Sequence, residues 1–188
     1  MRVLVAAAVA LLALTACTAD AGPEESAAPT EPAAVETDLP PCPAGSGEPA
    51  AGDLVVSLDC LGGGDLDLAQ APGVPTVLNL WASWCGPCRA ELPHVQQLSE
   101  VAGEQVRVLG VDTQDGLPQG TSFAADAGLT FPSAFDGGGE LAAELGLLGL
   151  PHTVFLTADG AVVHVERGEV SSYEELRSLV AEHLGVQL

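Results

Sequence analysis

Apolar residues form two almost continuous runs along the chain, at 75–82 (PTVLNLWA) and 105–113 (QVRVLGVDT). Such runs are typical of strands that are buried on both faces of a sheet. Shorter extended pieces are predicted from Asp53 onward and at 65–69 (DLDLA), and the three glycines at 62–64 predict a turn between them. The segment 152–168 predicts two more strands joined by an Asp-Gly turn.

Helical patterns separate these strands. One helix is predicted from 85 to 102, a shorter one at 118–128 that ends at a glycine, and another short one from Gly139. The segment 171–185 predicts an amphipathic helix with a serine cap and a terminal glycine. The alternation predicts an α/β fold, with a central mixed β-sheet covered by helices on both faces.

The first sixteen residues have the pattern of a signal peptide. Arg2 is followed by an apolar run at 3–16 that is short for a membrane span. We therefore expect residues 1–16 to direct export. The following LTAC at 14–17 resembles the bacterial lipobox, which implies that Cys17 is lipidated. The alternative is a plain secretory signal with a fortuitous cysteine.

Residues 17–41 contain mainly Ala, Pro, Glu and Thr, with few large apolar side chains. Such a segment cannot bury enough surface to fold, so a disordered, lipid-anchored tether is predicted there. The folded domain is expected at 42–188.

The chain carries 26 acidic residues against five arginines and no lysine, with a formal net charge of −21 over 188 residues. Nucleic acids and anionic membrane surfaces bind basic patches. The charge therefore argues against nucleic-acid partners, and the membrane is expected to be reached through the lipid anchor.

Cys85 and Cys88 lie where a buried strand ends and a helix begins, in NLWASWCGPCRAELP at 79–93. Helix N-termini stabilise thiolates, and side chains three residues apart are close enough to form a disulfide. Cys85 is expected at the exposed tip as the nucleophile, with Cys88 as the resolving cysteine. A structural disulfide or half a zinc site is the alternative, but no second ligand pair is present at a suitable spacing, and no metal or other cofactor is expected.

The sequence WCGPC after NLWAS, Pro93 in the following helix and GLPHTVFL at 149–156 resemble the thioredoxin superfamily. The longer pattern is most similar to its membrane-tethered TlpA/ResA-like disulfide reductases. The resemblance covers about residues 50–188. It implies a thioredoxin-like fold with an extra helical insertion before the strand that follows a cis-proline, which is Pro151.

The resemblance also implies a surface that binds extended substrate. Leu150 and Pro151 would contribute their backbone beside the disulfide. Trp84 directly precedes the first cysteine and would touch a partner. Gly86 leaves the approach open, and Pro87 fits the first helical turn, where its missing N–H is not needed.

Asn79 and His152 depart from the patterns that the resemblance implies. Asn79 replaces the buried aspartate of cytoplasmic thioredoxins and cannot titrate. Glu91 matches the acidic residue of the ResA-like group, three residues after Cys88, and we expect it to manage protons for the pair if burial raises its pKa. An exposed first-turn glutamate is the alternative. His152 either biases partner choice or thiolate stability, or is a tolerated surface residue.

Cys42 and Cys60 are expected to form a structural disulfide that pins the end of the tether to the first strand. A second redox pair that relays electrons is the alternative. His164 and His183 have no partner that the sequence reveals.

These features predict an extracytoplasmic thiol:disulfide oxidoreductase at the cell membrane. Gly-Pro between the cysteines resembles reducing thioredoxins, so a disulfide reductase of exported proteins is favoured. The resemblance points to apocytochrome c as a substrate and to a membrane thiol transporter of the CcdA or DsbD type as electron donor. The alternatives are a disulfide oxidase in oxidative folding and a Sco-like metal chaperone, whose C-x-x-x-C spacing differs by one residue.

Overall fold

The computed structural model describes residues 37–188, so the predicted signal peptide at 1–16, Cys17 and most of the predicted tether lie outside the described residues. The described strands are β1 Ser57–Asp59, β2 Asp65–Asp67, β3 Thr76–Trp81, β4 Arg107–Thr113, β5 Ser133–Asp136, β6 His152–Leu156 and β7 Val162–Arg167. The described helices are α1 Gly86–Ala102, α2 Leu117–Asp126, α3 Glu140–Glu144 and α4 Tyr173–Leu184.

Five strands form one mixed sheet in the order β5-β4-β3-β6-β7. Strand β3 runs parallel to β4 and antiparallel to β6, and every side chain of β3 is buried. Strands β1 and β2 form a separate antiparallel hairpin. The apolar run that forms β3 lies at the centre of the sheet. The cysteine pair follows the carboxyl end of β3 and therefore lies in the middle of that end of the sheet.

Side chains of β3 alternate between two apolar clusters, one on each face of the sheet. Val77 and Trp81 pack with residues of α1, α2 and α4, whereas Leu78 and Leu80 pack with α3 and with the β1–β2 hairpin. The predicted mixed sheet with helices on both faces is therefore confirmed. A helix, α3, also lies between β5 and β6, in the region of the expected insertion.

Strand β5 is the element that the sequence analysis missed. Its four residues SAFD lie between Pro132 and Gly137 and contain no run of branched apolar side chains. Pairing with β4 makes this segment a strand, and three of its four residues are buried. The first strand is also shorter than predicted, beginning at Ser57 rather than Asp53.

The folded part of the chain begins before residue 42. The Leu39 side chain is 6% exposed and belongs to the cluster that contains α1. The carbonyl groups of Leu39 and Pro40 lie so close to Gly62 that a Cβ there would overlap with them. The tether at 17–41 stays a prediction, and Leu39 near its end is a large apolar residue that packs against the domain. Between residues 37 and 188, no helix has the length and apolarity needed to cross a membrane.

Candidate active site

Cys85 and Cys88 are joined by a disulfide at the start of α1, with their Cα atoms 5.3 Å apart. Cys85 is the N-cap residue in extended conformation, and its Sγ accepts a 3.1 Å hydrogen bond from the backbone N–H of Cys88. Pro87 occupies the first turn of the helix. The arrangement directs backbone N–H groups and the positive end of the helix dipole at the Cys85 sulfur, which favours a thiolate there.

The two cysteines are less exposed than the sequence indicates. Cys88 is fully buried and Cys85 is 3% exposed, because both pack into the apolar cluster that also contains Trp81 and Ala82. Cys85 lies at the helix start, as predicted, but not as a freely exposed tip. Cys85 is the more exposed of the two cysteines by this small margin.

An exposed aromatic side chain and a glycine with free space around it flank Cys85. Trp84 is 60% exposed, and a side chain at Gly86 would meet no atom within 4 Å. The bond between Leu150 and Pro151 is cis, and Leu150 packs against the cluster that contains both cysteines. Leu148, which the sequence analysis did not single out, is 92% exposed just before this bond. The sequence feature that could have indicated an exposed apolar residue here is the pair of leucines at 147–148 between two glycines.

Glu91 is fully buried, although it lies near the start of a helix. Its Oε1 accepts a 2.6 Å hydrogen bond from Nδ2 of Asn79, and its Oε2 accepts a 2.9 Å bond from the N–H of Val170. Burial raises the pKa of Glu91 to about 7; these two hydrogen bonds oppose the rise, and the charge of Glu169 adds to it. A carboxyl group that titrates near neutrality therefore lies one helical turn from Cys88.

The loop after β4 also contacts the segment that leads into Cys85. Oδ2 of Asp115 accepts a 2.6 Å hydrogen bond from the N–H of Ser83, and the indole Nε1 of Trp84 donates to the carbonyl of Gln114. The sequence analysis did not identify Asp115. The available signal was an acidic residue shortly after the carboxyl end of a buried strand.

The histidines lie in surroundings that the sequence does not indicate. His152 is buried, 4% exposed, and its Nε2 lies 3.3 Å from the carbonyl oxygen of Leu148, so the surface interpretation of His152 is wrong. His164 and His183 stack with their ring centroids 3.7 Å apart, and both contact Phe155. The sequence does not reveal this contact, because β7 and α4 bring the two histidines together only in the fold.

Cys42 and Cys60 form a second disulfide, with Cα atoms 5.9 Å apart. Cys60 also forms a bridge to Ala134 in β5, so the bond attaches the start of the described chain to the sheet through the hairpin. Both cysteines are more than nine-tenths buried. Within residues 37–188, no cluster of three or more His, Cys, Asp or Glu side chains is arranged to hold a metal ion.

Several known proteins are similar to this chain in sequence. The model of the Redoxin family matches residues 41–181. DsbE of Vibrio cholerae, named a thiol:disulfide interchange protein, is 38% identical over 101 residues, which are 53% of each chain. ResA of Bacillus cereus, named a thiol-disulfide oxidoreductase, is 31% identical over 110 residues, 58% of this chain and 64% of that one. The chain thus spans about half the length of DsbE and somewhat under two thirds of ResA.

Solved structures share the fold. The structure of MTB DsbF in mixed oxidised and reduced forms is 32% identical with a TM-score of 0.62, covering 69% of this chain and 95% of that chain. This similarity confirms the thioredoxin-like architecture that the sequence pattern implied. Because the family model covers about three quarters of the chain, both cysteines of the helix-capping disulfide included, the chain belongs to the Redoxin family.

Proposed function

We propose that this protein is an extracytoplasmic thiol:disulfide oxidoreductase that reduces disulfides of exported proteins. The observation that carries the proposal is the Cys85–Cys88 disulfide at the start of α1, where the Cys85 sulfur accepts the Cys88 N–H. That sulfur is stabilised as a thiolate once the bond is reduced. No cofactor is needed, because the two thiols carry the electron pair.

The exchange has two steps. The Cys85 thiolate attacks one sulfur of the substrate disulfide, which forms a mixed disulfide and releases the other substrate sulfur as a thiolate that takes a proton. The Cys88 thiolate then attacks Cys85, which re-forms the disulfide of α1 and releases the second substrate thiol. Two electrons pass to the substrate, and a dithiol donor must restore the reduced pair.

Glu91 is proposed to accept the proton of the Cys88 thiol. It is buried beside that cysteine on α1, and its pKa of about 7 allows it to accept a proton at neutral pH. Asn79 suits both protonation states of this carboxyl group. Its Nδ2 donates to the carboxylate, and its Oδ1, which accepts no hydrogen bond from residues 37–188, can accept the proton of the neutral acid after rotation of the amide.

The exported location is proposed from the signal-like residues 1–16 and from the lipobox-like sequence that ends at Cys17. Apocytochrome c, as a substrate with a C-x-x-C-H motif, and a CcdA- or DsbD-type membrane transporter, as electron donor, are proposed from the resemblance to the ResA-like group. Mass spectrometry of the mature N-terminus tests the anchor: a diacylglyceryl group on Cys17 is expected, and an unmodified cysteine would contradict it.

A Cys88→Ser variant tests the exchange itself. It should trap exported proteins as mixed disulfides on Cys85 that a reductant releases, whereas the double variant Cys85→Ser/Cys88→Ser should trap none. Absence of adducts from both variants would overturn the exchange mechanism. The reduction potential then gives the direction: about −270 mV supports a reductase, and about −120 mV would support the alternative of an oxidase.

A further inference from the structure

The segment that leads into Cys85 is held by the loop after β4. The backbone N–H of Ser83 donates to Oδ2 of Asp115 over 2.6 Å, and the indole N–H of Trp84 donates to the carbonyl of Gln114 over 2.9 Å. The two residues that precede Cys85 are therefore both hydrogen-bonded to one short loop. Its geometry determines where the Cys85 sulfur and the Trp84 ring lie.

That loop contains an unfavourable backbone conformation. Gln114 has a φ of 54°, the one positive φ of a residue other than glycine within the described part of the chain. The left-handed conformation is sterically unfavourable for such a residue. The N–H of Gln114 is bound to the carbonyl of Asp136 over 3.0 Å. The fold thus keeps a costly turn at the residue whose carbonyl binds Trp84, which is typical of functional loops.

Behind the loop lies Asp112, the penultimate residue of β4, with a fully buried side chain. No group in residues 37–188 donates a hydrogen bond to either of its carboxyl oxygens. Helix α2 approaches so closely at Gly120 that a Cβ there would overlap with the Asp112 carboxyl. A buried carboxylate without donors is strongly disfavoured, whereas a neutral carboxylic acid can itself donate.

Asp115 is the acceptor for that proton. The two carboxyl groups are close enough to share a hydrogen bond as soon as one is protonated. Burial, together with the charge and hydrogen bond of Asp115 and the charge of Asp136 in β5, raises the pKa of Asp112 to about 8. Partial burial would also raise the pKa of Asp115, but hydrogen bonds from Ser83, Gly116 and Asp112 outweigh it and lower that pKa. Asp112 therefore keeps its proton at neutral pH, and Asp115 stays ionised.

We infer that Asp112 and Asp115 act as an acid–carboxylate pair that positions the Ser83–Trp84 segment, and with it the Cys85 sulfur, for exchange with a partner disulfide. The proton on Asp112 binds Asp115, whose oxygens in turn hold the N–H groups of Ser83 and Gly116. The charged groups that face Asp112 are those of Asp115 and Asp136, and both are acidic. Loss of the proton leaves a buried cluster of like charges, so the loop loosens in alkaline solution.

The inference rests on the proposed exchange activity, but its first test does not. In the oxidised protein no thiol of the pair titrates, and comparison with Asp112→Asn separates the effect of Asp112 on the indole N–H resonance of Trp84 from that of Glu91, whose pKa is about 7. The chemical shift of this resonance, assigned by comparison with Trp84→Phe, should titrate with a midpoint near the Asp112 pKa of about 8. Asp112→Asn, which donates but cannot ionise, should abolish that midpoint, and the control Asp126→Asn on the exposed side of α2 should retain it. An unchanged midpoint in Asp112→Asn would overturn the inference.

The second test compares rates of the reduced protein on a protein disulfide. Asp112→Val removes the donor and should lower kcat/KM roughly 10- to 100-fold, as expected for misplacement of a reacting group. Asp112→Asn should restore most of this loss. Asp115→Asn should behave like Asp112→Val, and it keeps the test decisive if the valine variant fails to fold by circular dichroism. An active wild type with no rescue by asparagine would refute the positioning pair, whereas an inactive wild type would refute the exchange activity instead.

Discussion

The amide Nδ2 of Asn79, in the central strand, lies 2.6 Å from Oε1 of Glu91, in the helix that carries both cysteines. The pair joins β3 to α1, and Nδ2 of Asn79 also lies 3.2 Å from the hydroxyl of Thr153 in β6. Asn79, which cannot titrate, therefore forms a hydrogen bond with Glu91, which can. The buried carboxyl group that the resemblance would place on the strand lies instead on the helix.

Glu91→Gln should change the pH dependence of thiol reactivity. In the wild type, the rate at which the pair exchanges should show an inflection near the Glu91 pKa of about 7, because the carboxylate above that pH accepts the Cys88 proton. The glutamine variant should lose this inflection. Alkylation of the reduced protein and single-turnover reduction of a disulfide, measured across this pH range, provide the test.

The matched control is Glu100→Gln, an exposed glutamate on the same helix. It should leave the profile in place. Identical profiles for Glu91→Gln and the wild type would remove Glu91 from proton transfer and leave it a structural residue.

Glu91 should also make the oxidised protein less stable in alkaline solution. Its pKa in the folded protein lies above the ordinary value of 4.5, so the native state binds the proton more tightly than the unfolded chain between pH 4.5 and about 7. The free energy of unfolding therefore falls as the pH rises through that window and then levels off. The full effect of this one group is about 3 kcal/mol.

Urea unfolding of oxidised Glu91→Gln and of the wild type measures this effect. The two should have similar stability near pH 4 and diverge with increasing pH, the variant becoming the more stable by up to about 3 kcal/mol near pH 8. Asp112 contributes equally to both proteins and cancels in the difference. A constant difference at every pH would show that the Glu91 carboxyl does not change its ionisation on folding.

Sequence pattern was sufficient for the parts of the fold that local chemistry specifies. The apolar run of β3 and the cysteine pair at the start of α1 are visible because burial and the helix terminus impose clear residue choices. Glu91 could be placed by its spacing from Cys88, but its complete burial depends on Val170, seventy-nine residues further along the chain, whose N–H it binds. Periodicity carries no information on such distant contacts.

Asp112 and the β5 strand show the same limit. An aspartate at the end of a buried strand is compatible with an exposed turn, and only the close approach of α2 at Gly120 buries it. Ala134 and Asp136 in β5 are of residue types that are depleted in strands, and the segment pairs because β4 presents a free edge to it. In both places tertiary contacts override what the local sequence favours.

Leu148 should contribute to substrate affinity and not to stability. It is 92% exposed in the loop before the cis Leu150–Pro151 bond, and burying a leucine side chain against a partner is worth about 1.5–3 kcal/mol. Leu148→Ser should raise KM for a protein disulfide about tenfold and leave the reduction of a small disulfide, such as oxidised glutathione, unchanged. Val55→Ser, at a 74% exposed position in the segment before β1, is the control and should change neither. An equal loss with both substrates would assign Leu148 to the geometry of the disulfide rather than to docking.

The Cys42–Cys60 disulfide should stabilise the fold without taking part in exchange. It closes a loop with a sequence separation of 18, for which the chain-entropy model gives about 3 kcal/mol. The double variant Cys42→Ala/Cys60→Ala should therefore unfold at lower urea concentration and keep the wild-type rate of exchange at Cys85. Because the helix start stabilises the Cys85 thiolate that reduction releases, graded reduction followed by mass mapping should open the Cys85–Cys88 bond first. Joint opening of both bonds, together with slower turnover in the double variant, would instead identify Cys42 and Cys60 as a second pair that relays electrons.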